Sequence, residues 1–274
     1  MTNGNQPDSG SDGGADDGTD EVVRYEVDGR IVTITLNRPK QRNSVSPELA
    51  SALGDAVARF EADPEVWVAI LTGAGGVFSA GADLKAIAAG RGAELSVEPG
   101  GFAGYVRYPR TKPVIAAVRG FALAGGTELV LASDMVIAGT DTFFGVPEVT
   151  RGIVAAAGGL FRLPRVLPRA RALELIATGD RLGAEEALRH GMVNAVVEPD
   201  QVLATARELA EKICANAPVA VRESLALARR AAELTEDEAW QLSGEARNRV
   251  MATEDAAEGP RAFAEKRPAV WKGR

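Results

Sequence analysis

Two carboxylates stand out by their neighbours. Glu128 opens an otherwise apolar run, Thr127-Glu128-Leu129-Val130-Leu131-Ala132, and Glu148 follows Pro147 in Phe144-Gly145-Val146-Pro147-Glu148. An ionised carboxylate is costly to bury, so in apolar surroundings it acquires partners or a raised pKa. Two such groups converging on one water could share general acid and general base work. The plainer alternative makes both of them helix-start acids facing solvent. The residues by themselves leave both readings open.

A second ingredient is a pair of small-residue turns. Phe78-Ser79-Ala80-Gly81-Ala82-Asp83-Leu84-Lys85 and Gly120-Phe121-Ala122-Leu123-Ala124-Gly125-Gly126-Thr127-Glu128 each follow a strand-like run and lead into a helical one. Small residues let backbone approach a ligand, and N–H groups at a helix start lack internal acceptors. Facing each other, the turns would aim two N–H donors at one oxygen, forming an oxyanion hole. Otherwise they are two tight strand-to-helix turns, with Asp83 an ordinary helix-start acid.

Other chemistries are poorly supplied. With one His and one Cys, the chain cannot build a His/Cys zinc site, a disulfide framework or a CxxC redox pair. His190 precedes Gly191 at the end of an amphipathic run, where a cation suits the helix C-terminus, so it reads as structural. Cys214, between Ile213 and Ala215, reads as a small core residue. Gly73-Ala-Gly75-Gly-Val-Phe78 approaches a dinucleotide fingerprint but has Phe78 at the third glycine position, and no phosphate loop of the GxxxxGK[ST] type occurs. The net charge of −7 comes from 31 basic and 38 acidic residues; five Asp and no Lys or Arg lie within residues 1–20, which leaves the body near neutral. A polyanion-binding role, nucleic acid included, therefore has no support from a basic excess. No run of about 18 uncharged apolar residues suggests a membrane span. The N-terminus lacks the basic and apolar regions of a signal peptide, so a cytoplasmic protein is expected.

The elements that must position these groups follow from periodicity. Residues 1–20 are expected to be a disordered acidic tail. Val22–Val27 and Arg30–Leu36 read as a hairpin about Asp28-Gly29, with Val32, Ile34 and Leu36 on one buried face. Ser46 and Pro47 start a helix with an apolar stripe of Leu49, Leu53, Ala56 and Phe60. Strands are expected over Val66–Leu71, Pro113–Val118, Asp134–Ala138 and Val193–Val197, with extended chain over Thr142–Val146. A Gly-rich loop is expected over Gly90–Gly101, a helix over Ala82–Gly90, and a turn running into a helix over Leu123–Ala132. From Arg169 the pattern turns helical, over Ala170–Thr178, Ala184–His190, Gln201–Ala215 and Pro218–Ala232, and a capping box Thr235–Glu238 opens a helix to about Ala252. Recurring strand, turn and helix argue for an α/β fold of ββα units. The expected layout is a core over 21–200 and a helical C-terminal region over 201–274, the latter suited to subunit packing.

At FSAGADLK, GFALAGGTEL and FGVPEVTRGIVAAAGGLFRLPR the chain resembles the crotonase (enoyl-CoA hydratase/isomerase) family. The resemblance runs from about Val22 to the end and includes TLNRPKQRNSVS, ATGDRLGAEEALRHGMVN and EDAAEGPRAFAEKRPAVWKGR; GGFAG at 100–104 and the VWKGR ending are most similar to a carnitinyl-CoA dehydratase branch. It implies a crotonase-type spiral of ββα units with a helical C-terminal trimerisation region, in a homotrimer or a hexamer of two trimers. By position it implies that the N–H groups of Ala82 and Gly125 hold a thioester carbonyl. Glu128 and Glu148 then act as the two glutamates of a hydratase, performing reversible syn addition of water to a 2-enoyl-CoA. Lys85 contacts the CoA portion, and Phe263 and Lys266 match C-terminal residues that close over CoA, in some members in a neighbouring subunit. No metal or separate cofactor is implied, because coenzyme A belongs to the substrate. An enoyl-CoA isomerase of the same fold and a non-catalytic acyl-CoA-binding protein are the alternatives. Ala124, Ala155–Ala157 and Arg151 depart from the commonest hydratase pattern and bear on substrate choice.

Overall fold

A computed structural model describes residues 21–274, so the expected disordered acidic tail lies outside the described residues. Strands β1 (Val23–Asp28) and β2 (Ile31–Leu36) pair antiparallel from Val23↔Leu36 to Asp28↔Ile31. The turn is therefore Gly29-Arg30, one residue later than expected. Gly29 takes φ +60° at its first central position, a backbone state glycine adopts without a Cβ clash. Helix α1 (Pro47–Ala62) starts where Ser46 Oγ accepts the Leu49 N–H at 3.3 Å, with Pro47 in the first turn. Its buried stripe of Leu49, Leu53, Val57 and Phe60 packs with Val32, Ile34 and Leu36 of β2.

Three units of one kind carry the chain onward. Strand β3 (Val68–Gly73) leads through the first turn to α2 (Leu84–Ala88), followed by a short pair, β4 (Ser96–Val97) and β5 (Gly101–Phe102), within the expected loop. The second unit is β6 (Val114–Val118), β7 (Phe121–Leu123) and α3 (Gly125–Ala132). The third is β8 (Met135–Gly139), β9 (Phe143–Gly145) and a 3-10 turn over Pro147–Arg151, before α4 (Gly159–Val166) and α5 (Arg169–Thr178). Then come β10 (Leu182–Gly183), α6 (Ala184–Arg189), β11 (Ala195–Val197) and α7 (Val202–Cys214).

The main sheet has the order β1-β2-β3-β6-β8-β11, parallel except for β1–β2; a second sheet has the order β10-β9-β7. This is the expected α/β spiral of ββα units. The main sheet is covered on both faces, so its strands read as nearly continuous apolar runs. In β3, Ala69 and Leu71 face the α1 side, whereas Val68 and Ile70 pack with Val202, Ala206 and Ala210 of α7.

The chain ends in α8 (Pro218–Ala228), α9 (Glu236–Met251) and α10 (Glu254–Glu265). The Thr235–Glu238 capping box forms as its spacing predicts. Arg229, after α8, pins this region to the sheet: its guanidinium reaches both Asp134 oxygens at 2.7 and 2.8 Å and the Lys112 carbonyl at 3.1 Å. Helix α10, with Pro260 inside it, falls in the expected helical C-terminal region, whereas α4, with Pro164 inside it, lies where no helix is expected from spacing. None of the described helices is long and apolar enough to cross a membrane.

Leu53 is fully buried between α1 and the sheet. Leu53→Ala should lower the unfolding free energy by about 2–5 kcal/mol, and Ser46→Ala, which removes only a cap, by about 1 kcal/mol. Urea denaturation followed by circular dichroism measures both; equal losses would contradict this view of the core.

Candidate active site

The second sheet aligns the three units. Ala122 in β7 pairs with Phe144 in β9, and Ser79 bridges to Ala122 on the other side. Three residues beyond Ser79 and Ala122 stand Ala82 and Gly125, and four beyond Phe144 stands Glu148. Residues at equivalent points past neighbouring strands meet at one end of the sheet, where a cavity of about 1220 Å³ is lined by Ala82, Gly125, Glu128 and Glu148.

Each turn presents its N–H for a different reason. In the first, the Val45 N–H donates to Gly81 O at 2.8 Å, and the Asp83 N–H donates to Val45 O at 2.9 Å. Alternate residues of an extended segment direct their N–H groups to opposite edges, so Ala82 turns its own away from Val45. The expected helix from Ala82 is corrected accordingly: the ladder to Val45 holds Ala82 and Asp83 extended, and α2 begins only at Leu84. Asp83 caps α2 by accepting the Lys85 N–H at 3.0 Å and is held by both terminal nitrogens of Arg38 at 3.2 Å. Buried Ser79 accepts the Gly81 N–H at 3.1 Å and donates to Asn43 O at 2.8 Å.

In the second turn the Ala124 N–H donates to Gly145 O at 2.9 Å, and α3 opens at Gly125. Thr127 Oγ1 lies 2.6 and 2.8 Å from the Ala122 and Gly145 carbonyls and accepts the Gly145 N–H at 3.0 Å, tying β7 to β9. Among the described residues, neither Ala82 N–H nor Gly125 N–H has a hydrogen-bond acceptor. The turns do face each other. Gly81 has φ +85°, and a Cβ there would stand 2.7 Å from Gly125 N; a Cβ on Gly125 would fall 2.5 Å from the Phe102 ring.

The solvent-facing alternative for the acids is overturned, because Glu128 is 3 % and Glu148 6 % exposed. Glu128 Oε1 accepts the Gly159 N–H at 2.9 Å. Burial pushes its pKa up to about 7; the Glu148 carboxylate pushes the same way, against the Gly159 N–H and the Arg162 guanidinium. Burial also raises the Glu148 pKa, and its Oε2 is buried without a hydrogen-bond partner among the described residues. Two buried acids whose pKa values are raised, beside two converging N–H donors, are equipped to exchange protons with a substrate polarised at an oxygen.

Lys85 and Arg151 line the same cavity, as do Ala156 and Ala157. Phe263 and Lys266 are not brought to it within one chain: Phe263, on α10, is 87 % exposed, and Lys266 ends that helix in the left-handed conformation. His190 ends α6 with its Nε2 4.0 Å from Glu186, and half-buried Cys214 ends α7; neither lines the cavity. The Gly73–Phe78 stretch is a turn closed by Asn43, whose amide donates to the Ala74 and Val77 carbonyls at 2.9 and 2.8 Å. Sequence reasoning missed Asn43, the Gly159 N–H and Arg162. An asparagine in an Arg-Asn-Ser context and an arginine inside an apolar run were the available signals.

Comparison with known proteins identifies the family and the fold. The family model for enoyl-CoA hydratase/isomerase matches residues 26–274. A carnitinyl-CoA dehydratase of Escherichia coli (strain SMS-3-5 / SECEC) is 46 % identical over 260 residues, covering 93 % of this chain and 99 % of the relative. Among solved structures, an enoyl-CoA hydratase from Mycobacterium tuberculosis H37Rv superposes with a TM-score of 0.89 at 45 % identity, covering 93 % of this chain and all of that one. A carnitinyl-CoA hydratase from Mycobacterium avium gives a TM-score of 0.73 at 45 % identity over the same shares.

A carboxyl whose pKa is higher in the fold than in the unfolded chain binds its proton more tightly when folded. For Glu128 the two values are about 7 and 4.5, so its contribution is fully present below pH 4.5 and lost as pH rises through 7. The penalty at pH 8 is about 3 kcal/mol. Glu128→Gln should therefore unfold at higher urea than the parent at pH 8, with the gap closing by pH 4.5. A pH-independent gap would disprove the raised pKa.

Proposed function

Since the chain belongs to the enoyl-CoA hydratase/isomerase family, we propose that it adds water reversibly across the C2=C3 bond of a 2-enoyl-CoA thioester. The observation that carries this reading is the pairing of two buried carboxylates with two acceptor-free N–H groups in one cavity. The thioester oxygen sits between the N–H groups of Ala82 and Gly125. As the water oxygen bonds to C3, the C2=C3 electrons shift toward C1 and the C=O pair moves onto the thioester oxygen, where the fixed donors stabilise the enolate-like charge. Each well-placed donor supplies roughly 3 kcal/mol.

Glu128 orients the water and takes its proton, while Glu148 delivers a proton to C2. With both carboxylates acting from one side of the enoyl plane, hydroxyl and hydrogen arrive on one face, which is syn addition. Dehydration is the reverse path, and proton exchange with water resets the pair after release of product. Lys85 at the cavity mouth suits the phosphates of CoA, which is part of the substrate; no separate cofactor takes part. The carnitinyl-CoA dehydratase relatives favour one specific variant, in which the acyl group is crotonobetainyl.

Two glutamates distinguish this reading from an isomerase, which needs one base and no positioned water, and from a non-catalytic acyl-CoA-binding protein. Purified enzyme assayed on crotonyl-CoA, longer enoyl-CoAs and crotonobetainyl-CoA should hydrate at least one of them. Glu128→Gln and Glu148→Gln should each lower kcat by roughly 10²- to 10⁴-fold. Double-bond migration without hydration would indicate the isomerase, binding without turnover the scaffold, and full activity in both variants would sink the mechanism.

For assembly we infer a homotrimer or a hexamer of two trimers. Helix α9 buries none of its residues within the chain, and Trp240 and Met251 stand exposed on it. An apolar surface of that kind is better explained by subunit packing than by solvent. Multi-angle light scattering at micromolar concentration should give a mass of three or six chains; a monomer refutes the assignment.

A further inference from the structure

Arg162 is a half-buried cation that takes no part in the hydration chemistry itself. It leaves the first turn of α4 and crosses the cavity wall: its Nη2 donates to Val106 O at 2.7 Å and its Nη1 to Ala157 O at 3.3 Å. Those carbonyls belong to segments 51 residues apart, the stretch after β5 and the loop before α4. The same loop ends in Gly159, whose N–H seats Glu128. Gly158 makes room for the crossing, since it holds φ +116° and a Cβ there would stand 2.5 Å from Arg162 Nη1. A planar guanidinium can span two carbonyls in this way; a lysine ammonium, a point donor, cannot hold both in the same geometry.

We propose that Arg162 is a positioning residue for this site, strapping the 157–159 loop to the Val106 wall so that the Gly159 N–H holds Glu128 in reacting orientation. The inference rests on the reading of Glu128 as a reacting carboxylate. The charged groups facing Glu128 are Glu148, from the turn after β9, and Arg162 itself, with the Gly159 and Ala157 N–H groups from the loop. Arg110, Arg165 and Tyr105 also act electrostatically on Arg162. The guanidinium thus has two separable effects. Its span fixes the loop, and its charge offsets the repulsion between the two carboxylates.

The test compares the full-length parent with Arg162→Gln, Arg162→Lys and Glu128→Gln. Readouts are kcat, KM and the pH dependence of kcat/KM on a substrate the parent turns over. The buried carboxylic-acid band of Glu128 is also titrated by difference infrared spectroscopy. Arg162→Gln should lower kcat by roughly 10- to 100-fold with little change in KM, because reacting groups are misplaced by a fraction of an ångström to an ångström. Its acid limb and its infrared titration should both move to higher pH by about half to one unit, because the cation is gone. Arg162→Lys should restore the acid limb but not kcat. If Arg162→Gln does not fold, Arg162→Lys carries the test: reduced kcat with an unmoved acid limb supports the strap. Parental kcat in Arg162→Lys, or parental kcat and acid limb in Arg162→Gln, overturns it. A fully active Glu128→Gln would instead defeat the reading of Glu128, whereas an inactive one beside unaffected Arg162 variants defeats only the strap.

Discussion

The site exists because three short extended segments share one register. Ala122 and Phe144 pair in a second sheet only two or three residues deep at each pairing, and Ser79 lies abreast of Ala122 through a single bridge. Because strand side chains alternate with period two, a slip of one residue would send every inward group outward. A ladder this short has few backbone bonds with which to resist a slip. Buried hydroxyls take that role: Thr127 ties β7 to β9, Ser79 ties the first turn to Asn43, and Thr142 reaches the Val118 carbonyl at 3.0 Å. Each is worth about 1 kcal/mol net, but removal of one would leave buried carbonyls unsatisfied at a larger cost. The chemistry at the cavity is thus positioned by polar groups that never reach it.

Stability is lost where the site is assembled. Glu128 and Glu148 are buried with fewer partners than carboxylates ordinarily command, and Glu148 Oε2 has none among the described residues. Ala124 holds φ +51°, ψ −127°, a conformation that disfavours any residue with a Cβ and costs on the order of 1–3 kcal/mol. Both departures flank the same two N–H donors. Local preference and tertiary structure agree in the capped, striped α1 and the alternating faces of β3. A strained backbone and under-partnered acids meeting at one place are the pattern expected when strain serves a site.

What could be read from the residues alone follows the range of the interaction involved. Capping, hairpin pairing and the apolar stripe of α1 are local, and they were legible to within a residue or two. The facing of the two turns and the burial of both glutamates depend on contacts across the fold, so composition left them open until the family motifs were considered. The Gly29-Arg30 turn shifted by one because the pairing of β1 with β2, not the dipeptide preference, sets its place. Arg162 stands out as an arginine in an apolar run, but its role was hidden for a related reason: its partners, at Val106 and Ala157, are backbone carbonyls, and a carbonyl leaves no mark on sequence.

The two N–H donors are equivalent in position but not in origin. Gly125 begins α3, so its N–H is free by the rule of helix starts and carries the positive end of the α3 dipole. Ala82 precedes its helix by two residues, and its N–H is free because Val45, 37 positions upstream, has taken the groups on either side. One donor is secured by local winding and the other by a long-range ladder. Charge developing on a bound oxygen therefore meets a dipole-reinforced donor on the Gly125 side and a bare peptide on the other. The Gly125 half is set as soon as α3 forms, whereas the Ala82 half answers to the segment from Arg38 to Val45, which also anchors Asp83 and Ser79. Displacement of that segment would weaken one half of the hole and leave the other intact.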